Sequence, residues 1–275
     1  MKLLLIKLLI FAGQHFFFVR GKLRNILIRA VRSIINYKID NNPLNTRIKS
    51  SVNGVPFYFY FDALSEVKQV FGNYNKKEID FLKKKMKSGS VFVDIGSNVG
   101  FYSQNIASIF PKIKFSKILS IEPNYILVNR HKDNIDLLSK KIRGIENKIF
   151  IENYAVGEFS QDIYLNLKEG YGSASIVTQP DDNSVRVKMK PLIEILTKNQ
   201  IQFITCLKID IEGYEDQALI PFFKHAPKTL YPQHIVLETG HSGWENKDLV
   251  KFIVNYGYVQ KFKTRGNLCL SLQDE

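Results

Sequence analysis

Acidic residues and glycines recur at the points where the sequence predicts that buried strands end. The first point lies in VFVDIGSNVG, residues 91–100, where Asp94 sits among apolar residues and where Gly96 and Gly100 bracket a short turn. Such a run is typical of a buried parallel strand that turns into a helix. The glycine spacing differs from GxGxxG, so the turn is not predicted to hold the pyrophosphate of a dinucleotide.

A carboxylate beside this turn favours a ligand that carries positive charge. S-adenosylmethionine, with its amino group and sulfonium, is such a ligand, and Asp94 is predicted to hold the amino group directly or through water. The second predicted strand ends at Glu122, 22 residues after Gly100, where a carboxylate can accept from both hydroxyls of a ribose. Nicotinamide cofactors use the same device. The third strand ends near Asn153, whose amide can bind an adenine edge or simply begin a turn.

Two further strand ends carry groups that can act on a substrate. Asp210 and Glu212 precede Gly213 in LKIDIEGYE, and two residues apart on an extended chain they point the same way. One of them is expected to orient the acceptor or act as general base. They could also bind a divalent cation together with Glu238, although we predict no metal. His241 is the second candidate for proton acceptor because its pKa lies near neutrality, but a solvated loop histidine fits the pattern equally well.

These residues require strands that end at one edge of a sheet, and strands alternate with helices from residue 90 onwards. That alternation predicts a mostly parallel sheet with helices on both faces and ligands at the carboxyl ends of its strands. The last two strands, joined by TRGN, predict an antiparallel edge hairpin. Strands are predicted at 90–95, 117–122, 148–153, 203–210, 234–239, 258–262 and 267–272, with an antiparallel insert within 158–190. Seven strands in this pattern are typical of the Rossmann-like fold of class I methyltransferases.

The chain before this sheet predicts a separate segment. Asn41-Asn42-Pro43 breaks a helical region, and residues 51–62 predict a β-hairpin around Asn53-Gly54. We therefore predict an N-terminal segment over residues 1–45 and a catalytic domain over 46–275. Cys206 and Cys269 lie in apolar runs far apart in sequence, which predicts buried free thiols and neither a disulfide nor a metal site.

Charge is concentrated at the start of the chain. The net charge is +13, and residues 1–38 contain no acidic residue but eight basic ones: Lys2, Lys7, Arg20, Lys22, Arg24, Arg29, Arg32 and Lys38. From Leu23 onwards apolar and basic residues alternate at helical spacing, which predicts a basic amphipathic helix. The apolar run before it, which begins with MKLLLIKLLIFAG and is interrupted by Lys7, is too short and too interrupted to span a bilayer. The helix either docks on a membrane surface or packs on the catalytic domain with its arginines in water.

The chain resembles the FkbM-type methyltransferases over roughly residues 51–260. The resemblance is carried by VFVDIGSNVGFYS, SIEPN, NYAVGE, GSAS, LKIDIEGYE and IVLETGH, which occur in the order and spacing of that family. It implies a Rossmann-like fold, S-adenosylmethionine as cofactor, and methylation of hydroxyls on sugars or natural products. It also implies that the cofactor loop contains Asp94, Gly96, Asn98 and Gly100, that Glu122 binds the ribose, and that Asp210, Glu212 and Gly213 lie near the transferred methyl. The family often ends the fifth strand in Glu-x-His, whereas Glu238 and His241 are one residue farther apart.

We therefore predict an S-adenosylmethionine-dependent O-methyltransferase that acts on a sugar, glycan, glycolipid precursor or related small molecule. Asp210, His241 and Glu238 are the predicted catalytic residues, with Asp210 orienting or deprotonating the acceptor and also contributing to cofactor binding. It is expected in the cytoplasm, with peripheral membrane contact through residues 1–40. The alternatives are an RNA-directed methyltransferase, a dehydrogenase and a non-catalytic membrane-associated cofactor-binding protein. A nucleic-acid partner is not expected, because the excess charge lies mostly outside the catalytic domain and no Asn/Asp-Pro-Pro-Tyr motif occurs. The glycine spacing argues against a dehydrogenase, and the intact acidic and glycine positions argue against a degenerate domain.

Overall fold

The computed structural model describes residues 2–15, 26–31, 47–60, 64–71, 74–167, 174–239 and 247–273. The helices in these ranges are α1 (Lys2–His15), α2 (26–31), α3 (Leu64–Val70), α4 (Lys76–Lys85), α5 (Phe101–Ala107), α6 (Tyr125–Ser139), α7 (Leu192–Lys198), α8 (Glu215–His225) and α9 (Lys247–Asn255). The strands are β1 (Ile48–Val52), β2 (Val55–Phe59), β3 (Val91–Ile95), β4 (Lys117–Ile121), β5 (Ile149–Glu152), β6 (Ala155–Val156), β7 (Gln161–Asn166), β8 (Ser175–Val177), β9 (Ser184–Lys190), β10 (Cys206–Ile209), β11 (His234–Glu238), β12 (Tyr258–Lys263) and β13 (Asn267–Leu272).

The main sheet has seven strands in the order β12-β13-β11-β10-β3-β4-β5. The five strands from β11 to β5 are parallel, and β13 and β12 add an antiparallel hairpin at one edge. The order reverses between β3 and β10, which is the point where open sheets of this kind bind ligands. The predicted fold class is confirmed, including the edge hairpin.

Both faces of this sheet are covered by helices, because its strands are apolar on both sides. Every residue of β3 is buried. Phe92 belongs to the core layer formed with α4, α5 and α6, whereas Val91 and Val93 belong to the layer formed with α7, α8 and α9. This alternation follows from the two-residue period of a strand. Cys206 and Cys269 are free and buried, as predicted.

The segment before the main sheet packs on the same core. β1 and β2 form the predicted hairpin, with Asn53 and Gly54 at positive φ as a tight two-residue turn requires. In α1, Ile6 and Ile10 are buried in the core layer that contains this hairpin. The side-chain amide of Gln14 donates to the backbone of β1 and of α3. The described part of residues 1–45 therefore contacts the domain, and the boundary at residue 45 stays a prediction. None of the described helices has the length and apolar character that crossing a bilayer requires.

The predicted insert forms a second sheet of four strands in the order β6-β9-β7-β8. β9 and β8 both pair antiparallel with β7, while β6 pairs parallel with β9. This sheet lies between β5 and α7 in the chain, so it extends from the edge at which the strands of the main sheet end.

Candidate active site

A cavity of about 320 Å³ lies at the carboxyl ends of the parallel strands. The glycine turn after β3, the end of β4 and the end of β10 form one part of its wall. Leu165 and Ile176 of the four-stranded sheet form another part. The third part comes from α3 and the residues after it, including Gln69 and Tyr74, which sequence reasoning did not identify.

The glycine turn brings two strand ends into direct contact. Gly96 lies at φ +69°, and a Cβ at this position would overlap the carbonyl oxygen of Asp210. Only glycine fits so close an approach of two backbones. Asn98, also at positive φ, lines the cavity and turns its N–H toward Glu122. Gly100 begins α5, where a Cβ would overlap the ring of His131, and it is not among the described lining residues.

Glu122 is a buried carboxylate held by fixed backbone donors. Its Oε2 accepts the N–H of Asn98 and its Oε1 accepts the N–H of Asn124, each at 2.9 Å. Burial raises its pKa to about 7, although these two N–H groups oppose the shift. The side chain lines the cavity. Its carboxylate is therefore oriented to accept hydrogen bonds from a ligand at the strand end where ribose binding is predicted.

A buried lysine in this wall connects three groups at the strand ends. The Nζ of Lys208 donates to the carbonyl of Gly96 at 2.9 Å and lies 3.5 Å from Asp210 Oδ2 and 3.9 Å from Asp94 Oδ1. Burial opposes its charge, but Asp210, Asp94 and Glu238 outweigh burial and raise its pKa. Lys208 therefore stays charged and fixes the positions of the acids around it. Sequence reasoning did not single out this residue.

The structure places Asp94, predicted to hold the amino group of a ligand directly or through water, behind the wall of the cavity. Its side chain is fully buried, and its Oδ2 accepts from both the N–H and the hydroxyl of Ser103. Burial raises its pKa, while Lys208 and Ser103 act in the opposite direction. It is not among the described residues that line the cavity. Asp94 lies opposite Lys208 in the β3–β10 register, so its side chain points toward that ammonium and supports the wall from behind.

Asp210 and Glu238 form a carboxyl pair at the cavity. Burial raises the pKa of Glu238 well above its usual range, and the charge of Asp210 and a hydrogen bond to it raise it further. Glu238 therefore holds a proton near neutral pH and donates it to Asp210. The phenol of Tyr74, which lines the same cavity, also has a raised pKa, chiefly through burial and then through the charge of Asp210. Tyr74 remains a neutral hydroxyl beside the pair.

The turn after β10 places Glu212 at the cavity. Glu212 has φ +58° and Gly213 has φ +94°, and Glu212 is exposed while lining the cavity. The Oε1 of Glu215 accepts the N–H groups of Ile211 and Gly213. Glu215 thus closes the turn at the start of α8.

The predicted adenine contact of Asn153 is not what the geometry provides. Asn153 is exposed, and its Nδ2 donates to the carbonyls of Glu122 and Pro123 at 2.8 and 2.7 Å. Its amide therefore holds the backbone after β4, and the following residues, Tyr154 and Ala155, line the cavity instead. His241 lies outside the described residues. Within the described ranges, no group of three or more His, Cys, Asp or Glu side chains is arranged to hold a metal ion.

Comparison with known proteins identifies the type of domain. The sequence model of a family described as the methyltransferase FkbM domain matches residues 94–259, which is more than half of the chain. The match begins later than the resemblance noted from motifs, which started near residue 51. No curated protein matches the chain.

Three solved structures give partial matches to the chain. A methyltransferase FkbM from Methylobacillus flagellatus is 18% identical over 77% of this chain and 53% of its own, with a TM-score of 0.45. This chain therefore spans about half the length of that protein. TrmK of M. capricolum, in complex with S-adenosyl-homocysteine, is 12% identical over 70% and 66% of the two chains, with a TM-score of 0.41. An rRNA methylase from Streptococcus thermophilus is 13% identical over 72% and 95%, with a TM-score of 0.43.

Proposed function

The chain belongs to the FkbM methyltransferase family, and we propose that it transfers a methyl group from S-adenosylmethionine to a hydroxyl oxygen of a sugar, glycan or related small molecule. One observation carries the proposal. A single cavity brings together the turn at Gly96 and Asn98, the oriented carboxylate of Glu122 and the carboxyl pair of Asp210 and Glu238. The proposed cofactor subsite and the proposed proton acceptor thus line the same cavity.

The side chains around the cavity suit the parts of this cofactor. Glu122 offers its carboxylate to the ribose hydroxyls. Ser97 Oγ is buried in the cavity wall and has no hydrogen-bond partner among the described residues, so it suits the polar methionine end. Leu127, Tyr154 and Val156 add apolar surface on which a flat base can lie.

The support for a hydroxylated acceptor lies in the third part of the wall. Gln69 is buried and lines the cavity, and its Oε1 has no hydrogen-bond partner among the described residues. Tyr74 lines the same region as a neutral phenol. These two groups can accept and donate hydrogen bonds beside Asp210, which matches a ligand that presents several hydroxyls.

When bound, S-adenosylmethionine supplies a methyl group activated by its sulfonium. The chain's own residues then serve the acceptor. Asp210 accepts the hydrogen bond of the acceptor hydroxyl and orients its oxygen lone pair, and it takes the proton as that oxygen becomes acidic during transfer. Lys208 and the protonated Glu238 hold Asp210 in place from either side. The half-buried position of Asp210 keeps most water away from this proton.

The cofactor and the reaction are tested separately. We expect calorimetric titration to show binding of S-adenosylmethionine and none of NAD. Labelled cofactor, incubated with candidate glycans and hydroxylated small molecules, is expected to add one methyl group to an oxygen, detected by mass spectrometry. Binding of NAD alone would overturn the cofactor assignment. Methylation of RNA with a steep salt dependence, and of no small molecule, would overturn the acceptor class.

A further inference from the structure

The helix α1 is apolar on two opposite faces. Ile6 and Ile10 point inward and are 4% exposed. Leu5, Leu8 and Phe11 are 46%, 56% and 54% exposed. Because successive residues of a helix are rotated by about 100°, Leu8 lies nearly opposite Ile6 and Ile10. One face of α1 is thus part of the core, and the other presents large apolar side chains to the outside.

The helix α2 continues this pattern. Val31 is buried in the same core layer as Ile6 and Ile10, while Ile26 is 56% exposed and Arg29 is exposed one turn further on. Residues three apart share a helix face, so Ile26 and Arg29 point outward together. We call the exposed residues Leu5, Lys7, Leu8, Phe11, Ile26 and Arg29 the outer face.

We propose that the outer face docks on a lipid surface that carries anionic headgroups. Exposed leucine, isoleucine and phenylalanine side chains can enter the boundary between headgroups and acyl chains, while basic neighbours attract anionic headgroups. Charge selects the kind of surface: residues 1–38 contain eight basic residues and no acidic one. The same charge argues against a second copy of the chain as occupant, because two outer faces would bring like charges together.

One of the two helices that carry the outer face, α1, is hydrogen-bonded to α3, which forms part of the wall of the cavity. The Nε2 of Gln14 in the last turn of α1 donates to the carbonyl of Val70 at the end of α3. Lys68 and Gln69 of α3 line the cavity. α1 is therefore linked through α3 to the wall of the cavity.

Sedimentation of the full chain with vesicles tests the proposal. We expect the chain to bind vesicles of phosphatidylcholine and phosphatidylglycerol, to bind pure phosphatidylcholine vesicles at least about tenfold more weakly, and to be released by salt. The double variant Leu8→Glu/Ile26→Glu removes apolar contact and adds negative charge on both helices. We expect its vesicle partition coefficient to fall by about tenfold or more.

The matched control is Phe159→Glu/Phe203→Glu, which makes the same charge change at two exposed phenylalanines outside α1 and α2. It should retain most of the wild-type partitioning, and both double variants should keep the wild-type circular dichroism and melting temperature. An equal loss of vesicle partitioning in the two double variants would show that net charge alone drives binding, and it would overturn the proposal that the outer face docks on lipid. So would an unchanged Leu8→Glu/Ile26→Glu variant, a wild-type chain that ignores both vesicle types, or a wild-type dimer that only this variant dissociates.

Discussion

The charge on Lys208 determines how the acids of the site are used. Its ammonium lies between the buried Asp94 and the half-buried Asp210, and it also binds the carbonyl of Gly96. A carboxylate next to a buried cation stays ionised, and the proton of the pair therefore resides on Glu238. Asp210 is thus the ionised carboxylate that faces the cavity and can accept a proton.

Replacing the Asp210 carboxylate should lower the rate of methyl transfer much more than the affinity for the cofactor. We predict that Asp210→Asn lowers the rate of methyl transfer by about 10²-fold or more, because the amide cannot take a proton. Affinity for S-adenosylmethionine should fall by less than about tenfold, since Glu122 and the glycine turn remain. Transfer of labelled methyl and calorimetry measure the two effects. Asp216→Asn, at a residue outside the described cavity lining, is the control, and near-full activity of Asp210→Asn would show that another group acts as base.

Cofactor affinity should depend on pH through Glu122. Its pKa of about 7 in the ligand-free protein means that it is increasingly protonated below neutrality. Ribose hydroxyls donate to the charged form, so we predict that affinity weakens as pH falls below about 7, by up to tenfold per pH unit. Glu122→Gln should bind more weakly and with a flatter profile between pH 5.5 and about 7. A wild-type profile that is flat over the same range would contradict the role of Glu122.

The acidic residues of the site could be predicted from the sequence, but the direction in which each side chain points could not always be predicted. Glu122, Asp210 and Glu238 follow apolar runs, so their places at strand ends were visible from the pattern. Asp94 was visible too, but its direction depends on the partner across the β3–β10 register. A lysine within an apolar strand gives no such signal, and for this reason Lys208 was missed.

At the scale of elements, turns and one buried ion pair set how the strands and helices meet. The Oε1 of Glu66 in α3 lies 3.1 Å from the guanidinium of Arg130 in α6, and both side chains are almost completely buried. Glu66 also accepts the N–H of Tyr60 after β2. This pair joins the segment that precedes the main sheet to a helix that covers the sheet.

Removing the arginine of this pair should be costly. We predict that Arg130→Met lowers the free energy of unfolding by about 3–5 kcal/mol, because Glu66 loses its buried cationic partner. Arg47→Met is a close control, since Arg47 forms an exposed pair with Asp133 and should contribute less than about 1 kcal/mol. Both guanidinium groups lie 4.2 Å from a tyrosine ring. The difference between the two losses of stability therefore reports the effect of burying the ion pair. Urea unfolding measures it, and equal effects would contradict the argument.

The glycine turns offer a second matched comparison. Gly89 and Gly96 both have positive φ, but a Cβ at Gly89 would meet nothing within 4 Å, whereas one at Gly96 would overlap the Asp210 carbonyl. We predict that Gly89→Ala costs about 1 kcal/mol of stability, for backbone conformation alone. Gly96→Ala should cost about 1–3 kcal/mol more and should weaken cofactor binding. Denaturant melts and calorimetry test this, and equal losses in the two variants would exclude the steric explanation.

Elements were predictable where the pattern was regular. The hairpin at Asn53-Gly54, β3 and the edge hairpin follow from turn residues and apolar runs. The strand predicted at 203–210 is shorter, Cys206–Ile209. The contribution of α3 to the cavity could not be predicted, because it depends on packing between distant parts of the chain.

At the scale of the whole molecule, one core layer joins the described N-terminal helices to the catalytic sheet. Ile6, Val31 and Phe57 share this layer with Phe92 of β3 and Cys269 of β13. The alternation of apolar and basic residues from Leu23 onwards predicted an amphipathic helix, but not which side would be buried. In the described part of that helix, α2, Val31 is buried in the core and Ile26 is exposed, so packing on the domain leaves one side open, and membrane docking stays a proposal.

A shared core should unfold as one unit. Phe57 is fully buried in the hairpin and stacks on Phe101, with ring centroids 5.2 Å apart, and Phe101 lines the cavity. We predict that Phe57→Ala lowers stability by about 3–5 kcal/mol and shifts one cooperative transition observed by both far-ultraviolet and near-ultraviolet circular dichroism. Two separate transitions would show that the hairpin folds independently of the sheet.

The contact between Gly96 and the carbonyl of Asp210 also bears on the entropy of ligand binding. The backbones after β3 and β10 touch directly, and the ammonium of Lys208 is bonded across the same junction. This part of the wall is therefore ordered before any ligand arrives. Ligand binding loses conformational entropy in the ligand and in mobile side chains, but not in this junction. The affinity of the site therefore depends more on the contacts and flexibility of the ligand than on any rearrangement of β3 and β10.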